Sequence, residues 1–126
     1  MEPTSKALKP VVFLLGTTGV GKSKLSLDLA LRLNGEIVNA DSMQIYDGNE
    51  GIMTAKPTKE EKESVRHHLY DVVDLKTKDF NVNKYLDLAI PCINEVLSRA
   101  KLPIVVGGTN YYIEGLLFDK NAQYLL

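Results

Sequence analysis

The stretch VVFLLGTTGVGKSKLSLDLA, from Val11 to Ala30, decides the fold. Its opening VVFLL is a short apolar run without alternation, the pattern of a parallel strand covered on both faces. Gly16, Gly21, Lys22 and Ser23 then satisfy G-x-x-x-x-G-K-[ST]. The glycines let a loop turn tightly and bring backbone N–H groups up to an anion. In this pattern the lysine adds a point charge and the serine a hydroxyl suited to a magnesium ion. From Lys22 onward Leu25, Leu29 and Leu33 recur every four residues, so a helix follows and the anion would sit at its N-terminus. Four fixed positions match by chance in a chain this short on the order of a few times per thousand. The pattern specifies a phosphate chain with a metal. It does not say whether the phosphate belongs to a nucleotide.

The chain has 126 residues, enough for one small domain. Hydrophobic residues make up 44% and charged residues 25%, as expected for an ordinary globular chain. No apolar run approaches the ~20 residues of a membrane span, so no membrane partner is expected. The first ten residues, MEPTSKALKP, carry neither an apolar signal core nor an arginine-rich leader. Cys92 is the only cysteine, which excludes an intrachain disulfide and fits a reducing compartment. The expected location is cytoplasmic, with a mitochondrial one as the alternative, and the expected state is a monomer. A net charge of −1 lends no support to a nucleic-acid partner, which must be argued from other features.

Along the chain, GEIVNAD (Gly35 to Asp41) reads as a second strand ending at a carboxylate, and Met43 to Pro57 as a long loop. Thr58 with Glu61 three residues later matches a capping box, so TKEEKESVRHHL opens as a helix. Val82, Tyr85, Leu86, Ala89, Ile90, Ile93 and Leu97 form a helical stripe that Pro91 should kink or divide. LPIVVGG (Leu102 to Gly108) is a third strand, and TNYYIEGLLF starts a further helix. The order β–α–β–α–α–β–α points to a parallel sheet with helices on both faces. Ligands of such sheets gather at the carboxyl ends of the strands. Here those ends are the phosphate loop, Asp41 and the Gly107-Gly108-Thr109 turn. Three strands make a thin sheet, and the chain stops just after a helix, so a longer parent protein is expected.

A carboxylate after a strand beside a phosphate loop has two usual tasks. It can hold magnesium through water, or it can act as a general base on an incoming nucleophile. Asp41 can also simply cap a turn through its own backbone. Position alone leaves the three open.

Four stretches bear on the choice: GTTGVGKS, NADSMQIYDG, TAKPTKEE followed by HHL, and PIVVGGTNYYIEGLL. In order and spacing they resemble four successive signatures of the tRNA dimethylallyltransferases, the isopentenyltransferases that prenylate an adenine beside the anticodon. The resemblance runs from about Pro10 to Phe118, and GGTNYYIE is more similar to eukaryotic members than to bacterial ones. It implies a P-loop NTPase-like α/β domain and an enzyme that moves a dimethylallyl group from dimethylallyl diphosphate to N6 of adenosine 37 of a tRNA. It also implies that Gly16, Thr17, Thr18, Gly19, Val20, Gly21, Lys22 and Ser23 hold the donor's diphosphate rather than a nucleotide, with Mg2+ at Ser23. Asp41 matches the family's general base and Thr18 a residue near the reacting groups. Asp41, Ser42, Met43 and Gln44 match a segment that contacts the acceptor nucleotide, and Thr109 a position that touches tRNA.

Full-length members of the family continue well beyond this point. Residues 1–126 are therefore expected to be an N-terminal donor-binding domain without the later strands, the tRNA-gripping helices and the basic residues that close the donor site. With no basic stripe to meet an RNA backbone, the chain alone is expected to be nearly inactive. The alternatives are an adenylate isopentenyltransferase, a nucleotide-kinase-like enzyme, or a non-catalytic product that only binds diphosphate. A kinase would need lid arginines, and Arg32, Arg66 and Arg99 lack such a context. His67 and His68, adjacent on an expected helix, would point apart, which disfavours a metal site and favours a structural role. Tyr111 and Tyr112 could stack on a base, but packing of the turn after the glycine pair is preferred. Cys92 reads as a core residue rather than a nucleophile.

Overall fold

The computed structural model describes residues 9–16, 20–47, 56–74, 76–118 and 124–125. Short β1 (Lys9–Pro10) precedes β2 (Val12–Leu15), α1 (Val20–Leu33) and β3 (Gly35–Asn39). Next come β4 (Tyr46–Asp47), α2 (Lys59–Ser64), β5 (His67–His68) and β6 (Val73–Asp74). The chain then forms α3 (Val82–Ser98), β7 (Leu102–Gly107), α4 (Asn110–Leu117) and β8 (Tyr124–Leu125). The main sheet has the order β2-β7-β3-β5 and is parallel throughout. Two further parallel pairs, β1 with β8 and β4 with β6, lie beside it. The expected architecture of a parallel sheet covered on both faces is what forms.

Alternation along the two inner strands sorts the core into two layers. Ile37, Ile104 and Val106 pack with Ala30 and Val65, and with Leu27 and Leu29 of α1. Val38 and Val105 point the other way, to Tyr85, Ala89, Ile93 and Leu97 of α3 and Tyr112, Ile113 and Leu116 of α4. Each such aliphatic side chain withdrawn from water contributes roughly 1.5–3 kcal/mol.

Several local expectations are corrected. The VVFLL strand is not covered on both faces: Val11 is buried, but Val12 to Leu14 are half-buried and Leu15 is exposed. β2 has a neighbour on one side only within the main sheet. The sheet has four strands rather than three, because helix α2 stops at Ser64 and His67–His68 pairs with Ile37–Val38. The expected capping box is present: the Thr58 hydroxyl accepts from the Glu61 N–H, and the Glu61 carboxylate accepts from the Thr58 N–H. The Met43–Pro57 loop contains β4, whose neighbour β6 comes from the segment after the histidines. Pro91 does not divide α3. Both Pro91 and Asp87, whose carbonyl loses its partner four residues on, are exposed, so water can take the freed bond. Among the described residues no helix is long and apolar enough to cross a membrane.

One buried charge joins the layers at the amino end of β3. Glu36 is buried, yet it accepts from both terminal guanidinium nitrogens of Arg99 and lies 2.7 Å from His68 Nε2. Arg99 also holds Glu95 through Nε at 2.6 Å. The Arg99 hydrogen bonds outweigh burial and bring the Glu36 carboxyl down to about 2. A carboxyl lowered in the folded state stabilises above its unfolded value, and that contribution disappears as pH falls toward the folded value. Screening through part-exposed Arg99 reduces it to about 2 kcal/mol. Urea unfolding should therefore show Glu36→Gln costing about 2 kcal/mol at pH 6. The gap from the parent should shrink steadily between pH 4.5 and 2. A gap independent of pH would show that the Arg99 pair is not what holds this carboxylate.

Candidate active site at the carboxyl ends of the strands

Parallel strands deliver their carboxyl ends to one edge of the sheet, and the expected site residues follow those ends. Gly16 ends β2 at a φ of 130°, which only glycine adopts without strain. Thr17, Thr18 and Gly19 lie outside the described residues. Val20, Gly21, Lys22 and Ser23 form the first turn of α1, so the motif does run from strand into helix. β2 and β3 flank β7, which sets the ends at Gly16 and Asp41 two strand spacings apart, about 10 Å.

Asp41 sits just past β3 at the start of a tight turn. Its Oδ1 accepts from the Met43 N–H at 2.9 Å, and its carbonyl accepts from the Gln44 N–H at 3.2 Å. The turn-capping role is therefore real, and it aims the carboxylate rather than excluding chemistry. The charge of Asp41 reaches two phenols. Tyr70 is raised well above the ordinary tyrosine range, by burial first and by Asp41 next. Tyr112 is raised to about 12 by burial, with smaller contributions from Tyr46 and Asp41.

The glycine turn after β7 meets this turn directly. The Ser42 N–H donates to Thr109 Oγ1 at 2.8 Å, and the Thr109 N–H donates to the Ala40 carbonyl at 3.3 Å. Thr109 is the N-cap residue of α4, but its hydroxyl makes no capping bond to that helix. It is turned to Ser42 instead, and its own proton remains a donor. The approach is close because Gly107 has no side chain: a Cβ there would lie 2.3 Å from the Ala40 carbonyl carbon. The structure thus brings Asp41, Ser42 and Thr109 together as expected.

Gln44 is buried in the same turn, with its Nε2 unpartnered, the one such atom among the described residues. A buried donor without a partner is costly and is satisfied by an incoming acceptor. Met43 is exposed. A second loop backs the turn: the Asp71 N–H donates to the Gln44 carbonyl, and the Val72 and Val73 N–H groups both donate to the Ile45 carbonyl. Lys56 braces that loop, pairing with Asp71 and donating to the Tyr46 carbonyl at 2.9 Å.

The remaining expectations divide. His67 and His68 are on a strand rather than a helix, and both bond within the fold, His67 Nδ1 to the Val65 carbonyl at 2.7 Å. Burial lowers the His67 pKa. Among the described residues no three His, Cys, Asp or Glu side chains gather to hold a metal. Tyr112 packs as expected, stacked on Tyr85 with ring centroids 3.9 Å apart, but Tyr111 is 75% exposed. Cys92 is half-buried against the core, and burial pushes its thiol up to about 11, away from nucleophile chemistry. Asn39 was not legible as a site residue: it is buried, and beside its bonds to Asp41 its partners come from residue 69 and from α3.

This geometry has counterparts. The family model described as IPP transferase matches residues 44–124. A tRNA dimethylallyltransferase of Leuconostoc mesenteroides is 50% identical over 117 residues, which are 93% of this chain and 39% of that protein. The human protein of the same name is 49% identical over 109 residues, covering 86% of this chain and 23% of its own length. Identity does not separate the bacterial relative from the human one. The crystal structure of the full-length tRNA isopentenylpyrophosphate transferase from Bacillus halodurans superposes with a TM-score of 0.80 at 45% identity, over 90% of this chain and 37% of that one. The chain thus spans well under half the length of these relatives. With its turn from residue 44 onward, its central strand and its glycine turn all inside the matched region, the chain belongs to the IPP transferase family.

Proposed function

We propose that this chain serves in tRNA dimethylallyl transfer, from dimethylallyl diphosphate to N6 of adenosine 37 beside the anticodon. The observation that carries the reading is the Ser42–Thr109 hydrogen bond. It ties the carboxylate turn after β3 to the glycine turn after β7, next to the strand that feeds the GTTGVGKS loop. Relatives named for this reaction support it.

Backbone N–H groups of the loop and Lys22 neutralise the diphosphate, which eases rupture of the allylic C–O bond. Ser23 is the residue that would hold a magnesium ion against the diphosphate, where the ion supplies positive charge to the leaving group. A single hydroxyl suits an ion held mainly by phosphate oxygens and water. The N6 amine attacks the freed carbon as the C–N bond forms, and its proton passes to Asp41. An aromatic amine is a poor nucleophile, so a positioned base matters, by roughly 10²–10⁴-fold. Gln44 Nε2 offers an unused donor to the acceptor nucleotide, and Met43 and Thr109 flank it. An anticodon loop presents a base that leaves its stack easily.

The test supplies the full-length protein with labelled dimethylallyl diphosphate, magnesium and either tRNA, AMP or ATP. Label on tRNA supports the reading; label on AMP or ATP, or on none of the three, overturns it. Within the same assay, Lys22→Ala should weaken donor affinity and slow transfer, each by about 10-fold or more, and leave tRNA binding nearly unchanged. Normal donor affinity and turnover in that variant would remove the loop from the donor site.

A further inference from the structure

Asp41 is held by more than its own turn. Asn39 has no exposed surface and spends its whole carboxamide on the main chain around it. Oδ1 accepts from the Asp41 N–H at 2.9 Å, and Nδ2 donates to the Asp41 carbonyl at 3.0 Å. The same Nδ2 donates to the Leu69 carbonyl at 3.0 Å. One side chain thus brackets both peptide groups of the residue two positions on, much as a paired strand would. Its own carbonyl accepts from the Tyr85 hydroxyl at 2.7 Å, and that phenol is fully buried and stacked on Tyr112.

The arrangement is more elaborate than a strand end needs. β3 could stop with water on its last groups, as exposed strand ends do. Here the bracket continues into a loop whose Leu69 and Asp71 have positive φ of 68° and 58°. A bulky residue held there is costly unless its surroundings over-determine it. The Asp71, Val72 and Val73 N–H groups bond back to the Gln44 and Ile45 carbonyls. Asn39 is the buried pin between the turn that carries Asp41 and the loop behind it.

We propose that Asn39 is a positioning residue for the transfer reaction: it fixes the bearing of the Asp41 carboxylate on the acceptor through the Asp41 peptide groups. The inference rests on the base role given to Asp41 above. Its chemistry requires a donor and an acceptor on one short side chain. Aspartate keeps the shape and the acceptor, but sets a carboxylate oxygen against the Asp41 and Leu69 carbonyls. Serine, with a single O–H donor, must leave at least one of the two carbonyls unserved.

The experiment measures Asn39→Asp and Asn39→Ser in the full-length protein, with Tyr85→Phe as a control that removes a bond to the same residue without touching Asp41. Single-turnover transfer, donor affinity, unfolding free energy and amide exchange at Asp41 and Met43 are read for each. The Asn39 variants should exchange those two amides at least 10-fold faster and transfer at least 10-fold more slowly. Donor affinity should stay within threefold. Tyr85→Phe should lose stability but keep transfer within twofold. Transfer that follows stability alone across the three variants, or folded Asn39 variants with normal transfer, overturns the proposal. If Asn39→Ser does not fold, Asn39→Asp decides; if neither folds, Asn39 serves stability and the proposal fails. A normal transfer rate in Asp41→Asn would instead remove the base role, while the two amides still report whether Asn39 holds the turn.

Discussion

Asp41→Asn in the full-length protein should slow prenyl transfer by about 100-fold or more while donor affinity stays within about threefold. The substitution suits the question because it preserves the local structure. The oxygen that accepts from the Met43 N–H is retained in the amide, so the turn through Gln44 keeps its shape. What is lost, on the proposed scheme, is the ability to take a proton from N6. A magnesium-ligand role predicts the opposite split, with metal-dependent donor binding lost. Isothermal titration with the donor and single-turnover transfer on the same preparations separate the two. Asp41→Ala should be worse than Asn in stability as well, because the Met43 N–H then loses its partner. Normal single-turnover rates in Asp41→Asn would remove the base from the scheme.

Gly107→Ala should be among the most damaging single changes to the described fold, costing about 3 kcal/mol. The added carbon would meet the Ala40 carbonyl carbon at 2.3 Å, the Ala40 oxygen at 2.4 Å and the Asp41 nitrogen at 2.8 Å. These are main-chain atoms with no rotamer to change. β7 cannot retreat from β3 without crowding β2 on its other side. The strain falls on the peptide that carries Asp41, so transfer should fall along with stability. Gly115 provides the contrast. A Cβ there meets only the Leu86 side chain, at 2.9–3.3 Å, and that side chain can turn aside. Alanine also favours a helix over glycine by about 1 kcal/mol, so Gly115→Ala should be nearly neutral. Urea denaturation of both variants checks the ranking. A Gly107→Ala loss no larger than that of Gly115→Ala would show that the two strand ends are not in contact as described.

What could be read from the residues in advance was what local chemistry determines. The Val11–Leu15 run, the Gly35–Asn39 run and the Leu102–Gly107 run each announce a strand, and Thr58 with Glu61 announces a helix start. Asp41 and Thr109 could be placed at strand ends because parallel topology puts such ends on one edge. The failures are tertiary. His67–His68 is too short to show a period, and it becomes a strand because Ile37 and Val38 offer a ladder. β4 and β6 are two residues each and exist only through one another. Pro91 reads as an interruption, yet its consequence depends on which side of α3 faces water. Asn39 looks like a minor polar residue inside an apolar run until Leu69 and Tyr85 are folded against it. The bond between Thr109 and Ser42 could not be read either, because it joins residues 67 positions apart.

The strand order carries a consequence for how the protein comes off the ribosome. β2 and β3 are neighbours in the chain but not in the sheet; β7 lies between them, and β2 has no other partner in the main sheet. Val12 aligns with Ile104 and Gly35 with Leu102, so the central strand is synthesised last of the three. At about 5–20 residues per second, β2 waits roughly 5–20 s after its synthesis before a partner exists. During that wait β2 has no ladder of the main sheet to join, the condition in which an unpaired edge finds a wrong one. Loop closure over some 90 residues must then precede any reward from pairing β2 with β7. The same β7 that brings the Asp41 and Thr109 turns together is thus the step on which orderly folding depends, and a nascent chain that stalls before it has, of the main sheet, only the two-residue pairing of β3 with β5.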